Sequence, residues 1–311
     1  MICSVTKALD ALLADAKMLR SQSRLGEADA KLSQALMVAK GEVEHAPRVA
    51  LSLWQAGRLQ EVVDLLEVTL EGLESSDKDQ VPTLLTRIGA AHIRLGNLQT
   101  AVNRLYDALE LSDNGYTALQ LGNALRYLGD FEEAAGHLTR AFHKAKTERD
   151  GALAIAALCA QGELALDEGE AQAAIELFGK GLGLTELSSH EPLSVAPLAG
   201  LSQAHVAWEN PKKAVEVGEK ALRRAVAADD SVGKARALLS LGLAKEEVAL
   251  LKQSEFGAKN APHRPLALRA KVARLELDPN PEEVEEVMRE VQEVEMREEV
   301  RRLQRLQRLE P

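Results

Sequence analysis

Residues 84–111 read LLTRIGAAHIRLGNLQTAVNRLYDALEL, and residues 117–142 read TALQLGNALRYLGDFEEAAGHLTRAF. Leu85, Ile88, Gly89, His92, Gly96, Ala101, Leu105 and Ala108 of the first stretch recur 33 residues later as Ala118, Leu121, Gly122, Leu125, Gly129, Ala134, Leu138 and Ala141. A period of about 20 to 50 residues marks stacked supersecondary units, none of which can bury its apolar face alone. The residue types say what each unit is. A small residue in one segment (Gly89, Gly122) and another in the next (Ala101, Ala134) let two antiparallel helices approach, because bulk there would push their axes apart. Gly96 and Gly129 fall where a first helix ends in a left-handed cap, and Asn97 or Asp130 stands ready to cap the second; Asp130 with Glu133 approximates a capping box. Each unit is expected to be a helical hairpin.

Weaker copies extend outward from this centre. They carry Ala28, Leu32 and Ala35; then Leu53, Gly57, Val62 and Leu66; downstream, Gly162, Gly169, Ala174 and Phe178; then Leu201, Ser202, His205, Ala214 and Ala221. The second-helix anchors stand at residues 28, 62, 101, 134, 174 and 214, with spacings of 34, 39, 33, 40 and 40. A seventh first helix is expected around Leu238, Leu241 and Gly242, but Ser254 stands where its partner should carry alanine, so the array is expected to decay there. Pro192 and Pro197 predict a late or kinked first helix in the sixth unit. Asn210 followed by Pro211 predicts a clean start for its second helix.

This pattern resembles the tetratricopeptide repeat, with its spaced set of Leu-Gly, a large residue, then Ala, a large residue and Ala across two helices. The longer units resemble the elongated tetratricopeptide-type repeats of bacterial regulatory proteins. The resemblance implies an all-α, right-handed superhelical solenoid of about six to seven antiparallel helix pairs over residues 1–260, followed by a C-terminal helical cap or docking segment over 261–311. In that segment four prolines between Ala261 and Pro281 punctuate a short helix near Leu266 to Leu277. After Asn280-Pro281, a run with ten acidic and six basic residues reads as a single terminal helix, its glutamates early and arginines late as the macrodipole favours. Val284, Val287, Val291 and Val294 keep a heptad-like spacing; Glu298 and Arg301 break it before Leu303, Leu306 and Leu309 resume another seam, which argues against a long regular coiled coil. The helix is read as a cap over the last apolar face, with dimerisation or docking as the alternative.

Composition agrees. A chain of 311 residues predicts about two domains, and 46% apolar with 28% charged residues is the balance of a folded chain with a large core. Aromatic residues make up 3%, and good helix formers dominate. The formal charge of −10 supplies no diffuse basic field to hold nucleic acid or anionic lipid. Asp10 and Asp15 interrupt the N-terminal apolar pattern, so no signal peptide is expected, and no window has eighteen consecutive apolar residues. Cys3 and Cys159 are the two cysteines, too few for a disulfide scaffold or a Cys-based zinc site, and a cytoplasmic location is expected.

Catalytic signatures are missing: no H-E-x-x-H, G-x-x-x-x-G-K-[ST] or G-x-S-x-G occurs. Gly179, Gly181 and Gly183 are read as a frayed helix end rather than a phosphate loop. His92 and His205 occupy the large-residue slot of first helices and are read as packing residues; His45, His137, His143, His190 and His263 form no ligand spacing. Cys159, on an Ala-rich helix with no basic neighbour in sequence, is read as an inert small apolar residue. The chain is therefore expected to be no enzyme and to need no cofactor or metal.

Function is expected on the concave face lined by the first helices. Groove positions in the resembled families lie one residue after the small packing residue, three to four further on, and a turn earlier. They select Gln120, Asn123, Arg126 and Tyr127 in the fourth unit, and Thr86, Arg87, Ala90, Ile93 and Arg94 in the third. The asparagine resembles one that holds a ligand backbone in peptide-binding members, and an arginine can fork onto a carboxylate. The lysines of the carboxylate clamp do not occupy these slots. Leu51 and Trp54, and then Glu163, Leu166 and Asp167, continue the surface; Trp54 is expected in the core, with an exposed binding anchor as the alternative. Arg87, Arg94, Gln120, Asn123, Arg126 and Tyr127 are thus the candidate partner-binding residues of a non-catalytic scaffold gripping a peptide or protein segment. A regulatory sensor, or a homo-oligomer (a homodimer) assembled through the C-terminal helix, are the alternatives.

Overall fold

The computed structural model describes residues 2–39, 44–73, 75–187 and 191–308, so His190, Leu309 and the Cys3 side chain lie outside the described part. The described residues form α-helices and two short 3-10 turns, with no strand: α1 (Ile2–Ser21), α2 (Leu25–Ala39), α3 (Ala46–Gln55), α4 (Leu59–Glu71), α5 (Val81–Leu95), α6 (Leu98–Leu111), α7 (Gly115–Leu128), α8 (Phe131–Glu148), α9 (Gly151–Asp167), α10 (Ala171–Leu187), α11 (Val195–Ala207), α12 (Pro211–Ala227), α13 (Ser231–Lys245), α14 (Val248–Asn260), α15 (Arg264–Leu277), α16 (Pro281–Glu293) and α17 (Arg297–Arg308). From α1/α2 to α13/α14 they pair in sequence, a solenoid of hairpins.

Sterics fix the pairing. A Cβ built on Gly89 would stand 2.6 Å from Leu105 Cγ, and one on Gly122 would stand 2.6 Å from Leu138 Cδ2. Each leucine of a second helix seats in the notch left by the glycine of the first. Gly96 and Gly129 end α5 and α7 at φ +87° and +83°, the left-handed cap that only glycine adopts without strain. The side-chain caps expected at Asn97 and Asp130 do not form. The Asp130 carboxylate is taken by Arg297 from the far end of the chain, and the Asn97 amide lies 3.3 Å from His92 Nδ1. Asn210 does cap α12, accepting from Lys213 N at 3.2 Å.

The seventh hairpin forms in full. Ser254 fills the alanine slot because it is scarcely larger, and its buried hydroxyl is satisfied by donating to Ala235 O at 2.7 Å. In the sixth unit the 3-10 turn Glu191–Ser194 takes up Pro192, and α11 starts late at Val195. The glycines at 179, 181 and 183 lie inside α10 rather than at a frayed end, with Gly181 buried beside Cys159 and Pro197.

The C-terminal segment covers two apolar surfaces. One face of α15 (Leu266, Ala267, Ala270, Ala273) packs on Ala235, Leu239, Leu251 and Ala258 of the last hairpin. Its other face (Leu268, Val272, Leu275) joins the core built by α6 to α9. The single terminal helix expected beyond Pro281 is instead two, because Glu295 adopts φ +61° between α16 and α17. Both seams, Val284, Val287, Val291 and Val294 and then Leu303, are buried in that same core beside Leu128. The tail thus returns to the middle of the array, where α17 touches α7 and α15 touches both α5 and α13. Among the described residues no helix is long and apolar enough to cross a membrane.

Candidate functional site

The return of the chain closes the solenoid on itself. Pro262, in the α14–α15 corner, packs so closely on the α3–α4 turn that a Cβ on Gly57 would stand 2.8 Å from its Cδ. Arg94 of α5 reaches the same corner, Nε donating to Pro262 O at 3.0 Å and Nη2 to Ala261 O at 2.8 Å. The first helices therefore encircle a central cavity of about 300 Å³. Trp54 of α3, Arg94 of α5, Gln120, Asn123 and Tyr127 of α7, Ala156, Ala160 and Glu163 of α9, Ala196 of α11, Arg236 of α13 and His263 at the head of α15 all line it. Alanines on α9 and α11 leave the room that larger side chains would fill.

A charge network forms one wall. Arg126 Nη2 lies 2.6 Å from Glu163 Oε2 and its Nη1 2.6 Å from Asp167 Oδ2. Arg236 also binds Glu163, while Arg269 of α15 joins Asp167 at 2.9 Å and Glu299 of α17 at 2.8 Å. Burial alone would raise the Glu163 carboxyl, but Arg236, Arg126 and Arg269 together overcome it and hold it down at about 2. Two guanidinium groups lie over the Tyr127 ring, Arg126 at 4.5 Å and Arg269 at 5.0 Å from its centroid. His263 caps α15 by accepting from Leu266 N at 3.3 Å; burial, then Arg236 and Arg94, push its pKa down to about 3, so the ring stays neutral. Burial pushes the Cys159 thiol up, which keeps it protonated and unreactive.

Two polar side chains on this wall have no internal role. Gln120 and Asn123 are half-buried, and neither hydrogen-bonds to any described residue. Unpartnered amides lining a cavity are groups that a ligand backbone can satisfy.

No protein-family model matches the chain, and no curated protein matches it by sequence. Solved structures do. A Rap protein complexed with competence and sporulation factor aligns with a TM-score of 0.64 at 13% identity, over 94% of this chain and 98% of that one. The Rap conjugation gene regulator of plasmid pLS20, in complex with the Phr* peptide, aligns at 0.66 and 14% identity over 96% of each chain. A signal transduction ATPase with numerous domains and a tetratricopeptide repeat sensor, from Pyrococcus horikoshii, aligns at 0.55 and 15% identity over 90% of this chain but 47% of that protein. The chain has the tetratricopeptide-type repeat fold.

Within that fold the candidate residues separate. Gln120, Asn123, Tyr127 and Arg94 do converge on one cavity. Arg126 does not reach it: its side chain is 1% exposed, drawn inward by the two carboxylates of α9. Arg87 is exposed in an adjoining hollow of about 390 Å³ with Thr86, Asn114 and Tyr116, which shares Ala90 and Gln120 with the central cavity. Trp54, expected in the core, is half-buried and lines the cavity, with Arg94 stacked 5.0 Å above its ring. Arg236, Arg269 and His263 were not selected from sequence. The groove rule reaches back only one turn from a small residue such as Gly242 and so passes over Arg236, nearly two turns earlier, while Arg269 and His263 stand outside the tetratricopeptide-type repeats and carry no register.

Proposed function

We propose that the chain is a non-catalytic, cytoplasmic binding protein that receives a peptide or protein segment in its central cavity. The observation that carries this reading is the pair of unpartnered amides, Gln120 and Asn123, in a cavity where Glu163 pairs with Arg236 and Arg94 is held by backbone carbonyls. Two structural neighbours whose complexes contain a factor or a peptide support it. A sensor role is favoured over a passive scaffold by the Arg94 contact, which joins the cavity wall to the corner leading into α15. In this reading residues 1–260 hold the ligand and residues 261–311 respond to it. Self-assembly through the terminal helices is disfavoured, since their valine and leucine seams are spent in the chain's own core.

Display selection of random peptides against the full chain tests the reading. Selected peptides should converge on a consensus, and Gln120→Ala with Asn123→Ala should weaken their binding by about tenfold or more, since each lost hydrogen bond costs about 0.5–1.5 kcal/mol. Unchanged affinity in the folded double variant would place the site elsewhere.

A further inference from the structure

The charges around the cavity narrow the chemistry of its ligand. Arg126, Arg236 and Arg269 each hold at least one carboxylate. Arg94 holds none among the described residues: its two hydrogen bonds go to the neutral carbonyls of Pro262 and Ala261. Asp230 attracts it from a distance, but that carboxylate caps α13, accepting from Gly233 N at 2.8 Å. Arg236, on the same cavity, uses one terminal nitrogen on Glu163, and its other donors have no acceptor among the described residues. Both guanidinium groups are half-buried, a setting in which an anion is a favourable match, and the planar fork fits a carboxylate. His263 beside them is held neutral chiefly by burial, and Arg236 and Arg94 push in the same direction.

We propose that Arg94 and Arg236, contributed by the third and seventh hairpins, form an anion-binding pair that takes a carboxylate of the ligand while Gln120 and Asn123 hold its backbone. This rests on the cavity being the peptide site. The carboxylate can be a C-terminus or an acidic side chain. Because the two arginines come from α5 and α13, both of which α15 touches, a bound carboxylate also bridges hairpins that the C-terminal segment brings together.

The test uses the full chain carrying Trp208→Phe, so that Trp54 is the remaining tryptophan and reports on the cavity. Three probes are titrated by fluorescence: acetyl-alanyl-alanine with a free C-terminus, acetyl-alanyl-glutamate amide, and acetyl-alanyl-alanine amide. Ligands this small bind in about the millimolar range. At least one acidic probe should bind about tenfold more tightly than the neutral one, and which one identifies the source of the carboxylate. Arg94→Gln, which can still donate to the corner carbonyls, should erase that preference; Arg94→Lys should keep part of it. Equal binding of all three probes, a preference that survives Arg94→Gln, or no acidic probe bound at about 10 mM overturns the proposal. The wider peptide reading fails separately, through the display selection: selected peptides that bind without any carboxylate would leave it standing.

Discussion

Phe178→Ala is expected to destabilise the chain by about 3–5 kcal/mol, the range for emptying a fully buried aromatic site. Phe178 is 0% exposed, and its ring is pressed by two backbones at once. A Cβ on Gly162 of α9 would stand 2.8 Å from its Cζ, and Gly200 of α11 approaches the same ring still more closely. The side chain is thus a wedge that sets the packing of the fifth hairpin on the sixth, and glycines on both sides cannot move in to refill it. Urea denaturation followed by circular dichroism measures the loss. Phe178→Leu, which keeps most of the volume, should recover much of it, because volume-conserving exchanges usually cost under about 1.5 kcal/mol. A loss below about 1 kcal/mol for Phe178→Ala would mean that the two hairpins do not depend on this contact.

Arg126→Met is expected to cost about 3 kcal/mol near neutral pH. Removing one partner of a buried ion pair leaves the other charge uncompensated, at about 3–5 kcal/mol; here Arg236 and Arg269 remain on Glu163 and Asp167, so the lower end applies. The effect should depend on pH in a defined direction. Glu163 is held at about 2, below its ordinary 4.5, so its ionised form is favoured by folding. That contribution is complete above about pH 4.5 and is lost as pH falls through about 2. With Arg126 gone the carboxyl titrates closer to its ordinary value, and the stability gap between variant and parent narrows on acidification. A gap that stayed constant between about pH 7 and pH 3 would contradict the network as drawn.

What the sequence made legible is local. Gly89 and Leu105, or Gly122 and Leu138, are neighbours in a repeat of about 34 residues, and their small-large complement can be read from spacing alone. The left-handed caps at Gly96 and Gly129 follow from the same register. Closure of the ring is not local, because it depends on curvature accumulated over all seven hairpins. That is why Pro262 reaching Gly57, Arg297 taking Asp130, and Arg94 binding the 261–262 carbonyls left no pattern to find. Arg126 was misplaced for a different reason. Its repeat position points toward the concave side, but the carboxylates that claim it sit one hairpin later, on α9. The heptad-like valines had the opposite outcome: their seam is genuinely apolar, but the turn at Glu295 folds it back inside the molecule.

The central claim is that the closed turn of the solenoid receives its ligand in the inner cavity. It is tested most directly by titrating a display-selected peptide into the isotopically labelled chain and following the side-chain amide resonances of Gln120 and Asn123 with the indole resonance of Trp54. All three should shift together and saturate at one common affinity. If they stay fixed while resonances of the outer helices α4, α6 and α8 move, the ligand binds the convex surface and the account is contradicted.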